Sequence, residues 1–211
     1  MKTTSDFVPE NNWSKKCPHR MTPQFIVIHN TANDASAEKE VAYMKNNDSA
    51  TSYHFAVDDA NVRQAIPLDR NAWHAGDGNN GNGNRCGIAI EICYSKSGGE
   101  RFLKAEENAA QLTAKLLMER GWGIDKVKKH QDFSGKYCPH RTLDMGWERF
   151  LKMVEKHMEL TTVNDIVWEL SARGIITDKE FWLKKLESDE KSYWLARKCV
   201  NYLRRETNGK N

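Results

Sequence analysis

The chain has 211 residues, of which 39% are hydrophobic and 29% are charged, and its formal net charge is +3. This length suits one domain of ordinary size with a small appendage, and the slight charge does not demand a nucleic-acid partner. No apolar stretch approaches the roughly 20 residues that span a bilayer. The composition therefore excludes membrane insertion and indicates a soluble globular protein.

The amino terminus and the cysteines bear on where the protein is made. Residues 1–10 contain no apolar segment typical of a signal peptide, so we expect synthesis in a host cytoplasm. The five cysteines are scattered without CxxC pairs, which argues against a disulfide scaffold and suits a reducing compartment. A protein of this kind that acts outside the cytoplasm needs another protein to release it.

Short apolar or β-branched runs bounded by turn-forming residues predict five strands, at residues 25–28, 51–57, 62–66, 87–94 and about 127–130. Helical periodicity predicts helices at residues 36–44, 102–121 and 144–160, the first of them capped by Ser36. Residues 1–160 are therefore expected to form one mixed α/β domain, with candidate ligands at strand ends.

Residues 71–85 are rich in Gly and Asn, which predicts a long irregular loop without a regular element. Trp73 and His74 lie in this stretch. A loop of this kind is suited to line a groove for a polar ligand by stacking and hydrogen bonding, and the alternative is an ordinary solvated surface loop.

Residues 161–211 change in composition and are helical by pattern, with three apolar stripes. About 50 residues rarely hold a core unaided, so we expect this module to dock on the main domain or to self-associate. Four basic residues lie near the carboxyl end of the last stripe, where a helix dipole favours cations without any nucleic-acid partner. They are Arg197, Lys198, Arg204 and Arg205.

Two histidines and one cysteine stand out as candidate metal ligands. His29 ends the apolar run 25–28, and His130 and Cys138 lie eight residues apart, which allows one connecting loop. Two imidazoles and a thiolate suit Zn²⁺ and leave a fourth position for water. Lys136 beside them could stabilise negative charge on a carbonyl oxygen. The alternative is a hydrogen-bonded strand-end histidine and ordinary loop residues.

Five segments carry a family resemblance in the right order. They are Ile-Val-Ile-His29-Asn-Thr, Ser-Tyr53-His54-Phe, Trp73-His74-Ala-Gly, Gly87-Ile-Ala-Ile-Glu91-Ile and His130-Gln-Asp-Phe-Ser-Gly-Lys136-Tyr-Cys138-Pro. With them the chain, over roughly residues 24–160, resembles the zinc-dependent N-acetylmuramoyl-L-alanine amidases of the type 2 family, which includes phage endolysins, and the related peptidoglycan recognition proteins. The resemblance implies a central mixed β-sheet flanked by helices, crossed by a peptidoglycan groove.

The resemblance also implies roles for individual residues. Zinc would be bound by His29, His130 and Cys138. Glu91, in an apolar strand, would be the general base and then acid, because burial raises a carboxyl pKa into the useful range; a buried ion pair is the alternative. Lys136 would stabilise the oxyanion, Tyr53 is a second catalytic candidate, and Asp132 could orient a ligand imidazole. Substrate contacts are expected from Asn30, His54, Trp73 and His74.

The function implied is hydrolysis of the amide between N-acetylmuramic acid and L-alanine in bacterial peptidoglycan, by a bacteriolytic phage or prophage endolysin that reaches the wall after release. A cytoplasmic amidase that recycles muropeptides is an alternative. A receptor without turnover is another, but recognition members typically lack the cysteine ligand. By analogy of domain arrangement, residues 161–211 would target the wall or meet anionic wall polymers.

Overall fold

The structure is a computed structural model that describes residues 3–158 and 162–208, with side chains described as far as Leu203. The expected domain boundary between residues 160 and 161 lies outside the described residues, and so do the side chains of Arg204 and Arg205. Within the described ranges, no helix combines the length and the apolar character that crossing a bilayer requires.

Six strands form one sheet in the spatial order β1-β4-β3-β5-β2-β6. Strands β3 and β4 pair antiparallel, and the other neighbours pair parallel, so the expected mixed sheet is confirmed. The strands are β1 (Thr3–Ser5), β2 (Phe25–Asn30), β3 (Phe55–Val57), β4 (Val62–Gln64), β5 (Gly87–Ile92) and β6 (Val127–Lys129).

The two central strands β2 and β5 bring the chemistry to one end of the sheet. Ile26, Ile28, Ile88 and Ile90 are fully buried, as expected for parallel strands covered by helices on both faces. The register of the pair places His29 beside Glu91, one residue before each strand ends. Ligand sites in α/β sheets form at the carboxyl ends of strands, and this is where both side chains lie.

The main domain contains seven α-helices in its described part, flanking the sheet and connecting its strands. They are α1 (Trp13–Lys16), α2 (Ala37–Asn46), α3 (Asn82–Cys86), α4 (Gly99–Arg120), α5 (Gln131–Ser134), α6 (His140–Asp144) and α7 (Trp147–Met158). Helix α2 begins after Ser36, whose hydroxyl accepts the Lys39 amide. Helix α4 ends at Gly121, which adopts the left-handed conformation of a C-cap.

The expectation that residues 71–85 form no regular element is wrong at their carboxyl end, where α3 begins. The Asp77 carboxylate accepts the backbone N–H of Gly83 at 2.6 Å and of Asn84 at 3.2 Å. These bonds satisfy amides that a short helix leaves free at its amino end. The side-chain oxygen of Asn84 in turn accepts hydrogen bonds from the backbone N–H groups of His74 and Ala75, which fixes the preceding loop.

The amino-terminal segment adds a strand and a helix that the sequence pattern did not predict. Strand β1 pairs with β4 and covers one edge of the sheet. In α1, Lys16 is fully buried, and its ammonium donates to Asn47 Oδ1 at 3.0 Å, to the Thr51 carbonyl at 3.4 Å and to the Ser49 carbonyl. Lys16 therefore anchors residues 47–51, which follow α2.

The carboxyl-terminal residues form the three expected helices, α8 (Val163–Ala172), α9 (Lys179–Ser188) and α10 (Glu190–Asn208), which pack on one another. Helix α8 starts with a capping box, in which Thr162 and Asp165 each bond the other's backbone N–H. The three helices share a small apolar core of their own, made of Ile166, Val167, Leu170, Ile176, Leu186 and Val200.

Candidate active site

Three donor side chains from separate parts of the chain converge at the end of the sheet. His29 lies in β2, His130 follows β6 and Cys138 precedes α6; all three are buried, and their ligand atoms lie within 4.8 Å of one another. His29 Nδ1 lies 3.1 Å from His130 Nδ1 and 4.0 Å from Cys138 Sγ. Tetrahedral Zn²⁺ holds neighbouring N and S donors roughly 3.3–3.6 Å apart, so the donor types suit this ion and their separations are within about 1.5 Å of those it requires.

The protonation states of the three donor side chains bear on whether they can bind a metal ion. Burial lowers the pKa of His29 and His130, and Lys136 acts in the same direction, so both imidazoles stay neutral, the form that binds metal. Burial raises the pKa of the Cys138 thiol to about 11, against the opposing effect of Lys136. A metal ion at this position would favour the thiolate, because a coordinating thiol loses its proton.

His74 orients His29. Nδ1 of His74 lies 3.0 Å from Nε2 of His29, and the two rings meet edge to face. Asp132, the expected partner of a ligand imidazole, instead accepts the Lys129 backbone N–H at 2.9 Å and pairs with the Lys129 ammonium. The orienting role is wrong, because both carboxylate oxygens of Asp132 bond to Lys129, just before the short helix α5.

Two residues expected to contact the substrate, His54 and Asn30, instead form hydrogen bonds within the protein. His54 is fully buried, with Nδ1 accepting the Ala89 N–H at 3.0 Å and Nε2 within 2.9 Å of the Arg70 carbonyl. No nitrogen of His54 is left for a substrate, so its expected role is wrong. The Asn30 side chain joins β2 to α6 by accepting the backbone N–H of Arg141 at 2.9 Å and of Thr142 at 3.2 Å.

A cavity of about 630 Å³ lies between α2 and the carboxyl ends of β2 and β5, and we call it the Glu40 pocket. Its lining includes Asn30, Thr31, Glu40, Tyr53, Glu91 and Lys136. Glu91 is partly exposed, but its Oε2 is buried and has no hydrogen-bond partner among the described residues. Burial raises the pKa of Glu91 to about 8; Glu40 adds to this rise and Lys136 opposes it.

Tyr53 also faces the Glu40 pocket. Its hydroxyl is buried and has no hydrogen-bond partner in the part of the chain that the structure describes. Burial raises the pKa of this phenol, and the carboxyls of Glu40 and Glu91 raise it further. Tyr53 therefore remains a neutral hydroxyl close to Glu91.

A second, more open cavity of about 720 Å³ lies on the other side of the donor cluster, and we call it the Trp73 pocket. Its lining includes Trp73, His74, Asn79, His130, Ser134 and Lys136. The indole N–H of Trp73 donates to the Lys15 carbonyl at 3.1 Å, which fixes the ring at the rim. Lys136 lines both pockets, so the two cavities adjoin each other beside the donor cluster.

Residues 19–141 match the family model described as N-acetylmuramoyl-L-alanine amidase, and this range contains every expected site residue. The amidase CwlA of Bacillus subtilis (strain 168) is 56% identical over 160 residues, which are 75% of this chain and 59% of that protein. XlyB of the same strain is 57% identical over 154 residues, covering 72% of this chain and 49% of that protein. The chain thus spans about half to three-fifths of these curated relatives.

Solved structures show the same fold. The structure of PlyL aligns with a TM-score of 0.71 at 49% identity, covering 73% of this chain and 97% of that chain. The solution structure of the PlyG catalytic domain aligns with a TM-score of 0.72 at 48% identity, covering 77% of this chain and 98% of that chain. The likeness concerns almost the whole length of both solved chains.

Proposed function

Since the chain belongs to the N-acetylmuramoyl-L-alanine amidase family that its residues 19–141 match, we propose that it hydrolyses the amide between N-acetylmuramic acid and L-alanine in bacterial peptidoglycan. The observation that carries this proposal is the buried set of His29, His130 and Cys138, with Glu91 beside His29 in the register of the central strands. A metal site and an unpartnered carboxyl are the two groups that metal-assisted hydrolysis of an amide uses.

The proposed cofactor is Zn²⁺, held by His29, His130 and Cys138. When bound, zinc supplies a Lewis acid for the scissile carbonyl and a water of lowered pKa. His74 fixes the ring of His29 through the 3.0 Å contact between their nitrogens, which keeps the metal-binding nitrogen aimed at the cluster. Lys136 stabilises the negative charge that develops on the carbonyl oxygen.

Glu91 moves the proton. Its carboxyl pKa of about 8 lies near neutral pH, where one group can act efficiently as a base and then as an acid. It accepts a proton from the attacking water and donates it to the L-alanine nitrogen as the amide breaks. Tyr53, whose hydroxyl is free in the same pocket, donates a hydrogen bond to the substrate.

The two pockets divide the substrate between them. The Trp73 pocket offers an indole face and a polar loop, which suit a sugar, whereas the narrower Glu40 pocket offers buried polar groups, which suit a peptide. Trp73 and His74 line the first pocket, which supports their expected roles. Asn30 lines the second pocket, but its side-chain amide already bonds to His29, Arg141 and Thr142. A complete donor set beside Glu91 supports turnover rather than binding alone.

We assign the chain a lytic role at the cell wall, as an endolysin. Residues 162–203 present several large exposed aromatic side chains, which support a binding role for this module, either at the wall or with a second copy of the chain. They are Trp168, Phe181, Trp194 and Tyr202. At the wall, a contact between this module and anionic polymers would strengthen the binding.

The test is mass spectrometry of Gram-positive peptidoglycan digested by the full chain, with and without a zinc chelator. New L-alanine amino groups on the stem peptides, together with intact glycan strands, are expected; the new amino groups should be lost on chelation and recovered with added zinc. Binding of peptidoglycan without amide cleavage would instead identify a receptor, and cleavage that survives chelation would exclude the zinc assignment.

A further inference from the structure

Four buried polar atoms without a hydrogen-bond partner among the described residues belong to residues that line the Glu40 pocket. They are Thr31 Oγ1, Glu40 Oε1, Tyr53 OH and Glu91 Oε2. Buried polar atoms in native proteins are nearly always hydrogen-bonded, so this concentration requires an explanation. The chemistry at the scissile amide accounts for Glu91 and Tyr53, but it leaves Glu40 and Thr31 without a role.

Glu40 is an unusual residue for this position. It lies in the first turn of α2 and is only 8% exposed. Burial raises the pKa of its carboxyl, and the neighbouring Asn33 side chain opposes part of that rise. Lys39 and Lys136 line the same pocket, yet within the described residues no ion pair reaches Glu40. One oxygen of the carboxyl, Oε1, is therefore available to a ligand.

Glu40 and Glu91 line the same pocket, where the charge of Glu40 raises the pKa of Glu91 and both carboxyls raise the pKa of Tyr53. Lys39 and Lys136 also line the pocket, but a ligand that places a carboxylate directly against Glu40 meets like charge, which is costly in a poorly solvated site. A ligand that brings N–H donors completes the free acceptors, and the hydroxyls of Thr31 and Tyr53 can accept or donate. The pocket chemistry thus favours an amide over an acid.

Resting on the proposed function, we infer that the Glu40 pocket binds the peptide beyond the scissile amide and that Glu40 selects a primary carboxamide over a free carboxylate on the residue after L-alanine. The carboxamide supplies two N–H donors and carries no charge, whereas the carboxylate supplies none. Glu40 and Glu91 line the same pocket, so the group that Glu40 meets belongs to a residue close to the cleaved bond. Glu40 is then a specificity-determining residue rather than a part of the hydrolytic machinery.

The experiment compares two synthetic substrates, N-acetylmuramoyl-L-alanyl-D-isoglutamine and N-acetylmuramoyl-L-alanyl-D-glutamate, which differ only in carboxamide against carboxylate. Values of kcat/KM are measured for the full-length protein and for Glu40→Gln, with Glu38→Gln as the matched control. Glu38 lies on the same helix, is exposed, and does not line the pocket. Circular dichroism verifies that all three proteins are folded.

We expect the unaltered protein to cleave the carboxamide substrate about tenfold better than the acid, because the acid places like charges together. Glu40→Gln should bring the two values within about twofold, mainly by improving the acid substrate, since glutamine can donate to it. Glu38→Gln should keep the original preference. Equal preference in the unaltered protein and in Glu40→Gln would overturn the inference.

A binding measurement separates this inference from the proposed function. The free peptides L-alanyl-D-isoglutamine and L-alanyl-D-glutamate lack the scissile bond, and NMR titration of the full chain gives their affinities. If no substrate is cleaved but the carboxamide peptide still binds more tightly through Glu40, the amidase proposal fails and the pocket assignment stands. If the substrates are cleaved but both peptides bind equally, the pocket assignment fails and the amidase proposal stands.

Discussion

Nε2 of His29 lies 3.0 Å from Nδ1 of His74, while Nδ1 of His29 faces His130 and Cys138. One ring therefore serves the donor cluster with one nitrogen and the supporting loop with the other. For His29 to bind a metal through Nδ1, Nε2 must carry the proton and donate a hydrogen bond to Nδ1 of His74. His74 thus selects both the tautomer and the orientation of a ligand.

His74→Ala should weaken zinc binding about 10- to 100-fold, because the ring of His29 loses the partner that fixes it. Competition with a chromogenic chelator measures the affinity. His157→Gln is the control, since His157 bonds to Glu107 on the helical side of the domain. An unchanged affinity in His74→Ala would show that the contact between the two rings has no orienting role.

Cys138→Ser should lose most of its bound zinc and lower amide cleavage by at least about 100-fold, because a hydroxyl is a far poorer ligand than a thiolate. Cys199→Ser, which changes an exposed cysteine on α10, should retain both properties. Metal analysis after gel filtration and release of L-alanine amino groups give the two readouts. Full activity of Cys138→Ser would remove Cys138 from the ligand set.

The free energy of unfolding should decrease as the pH falls from about 6.5 to 4, and His54 should account for part of the decrease. Burial lowers the pKa of His54 to about 4, whereas an unfolded histidine titrates near 6.5. Between these values the unfolded chain binds more protons, so acid favours unfolding, by about 3 kcal/mol for this group. Other buried histidines act in the same direction, and Glu40 and Glu91 act in the opposite one.

Urea denaturation at pH 7 and pH 4.5, with chelator present, measures this dependence. In His54→Gln the difference between the two pH values should shrink, because the titrating group is gone while an amide can still bond to the backbone. The comparison with the unaltered protein isolates His54 from the other titrating groups. An identical pH difference in both proteins would mean that His54 titrates normally in the folded state.

Arg149→Met should reduce the free energy of unfolding by about 2 kcal/mol, because it leaves the carboxylate of Glu106 buried without its partner. Glu106 is fully buried on α4, and Arg149 on α7 reaches it at 2.6 Å. The guanidinium is about a third exposed, so the loss is smaller than for a fully enclosed pair. Urea denaturation at pH 7 provides the measurement.

Two controls accompany this prediction. Arg20→Met breaks an exposed pair with Asp69 and should cost less than about 1 kcal/mol. The double variant Glu106→Gln with Arg149→Met should recover part of the loss, because it removes the uncompensated charge. If Arg149→Met is no more costly than Arg20→Met, the link between α4 and α7 does not depend on this ion pair.

The sequence predicted the central strands and the donor cluster because both leave local signals. Strands β2 and β5 are covered on both faces, so they appear as unbroken apolar runs that end at polar residues. His29 and Glu91 are the first polar residues after these runs, and His130 and Cys138 flank a single loop. Strand pairing then places them together, as the parallel register shows for His29 and Glu91.

Tertiary packing decides what the sequence does not show. Glu38 and Glu40 look alike as acidic residues in the first turn of a helix, but only Glu40 lines the pocket, because α2 packs on β3 with that side. Tyr53 and His54 are neighbours in one motif, yet Tyr53 reaches the pocket and His54 is enclosed by backbone groups. A motif predicts which residues gather, but the packing determines which of them are accessible.

The amino-terminal segment affects where a minimal catalytic fragment can begin. A fragment cut at residue 19, the first residue of the family match, would lack β1 and expose the edge of β4 to pairing with other molecules. It would also lack Lys16, so that Asn47, Ser49 and Thr51 would lose the ammonium group that gathers them. Ser49 and Thr51 border both pockets, so the catalytic unit extends upstream of the residues that define its family.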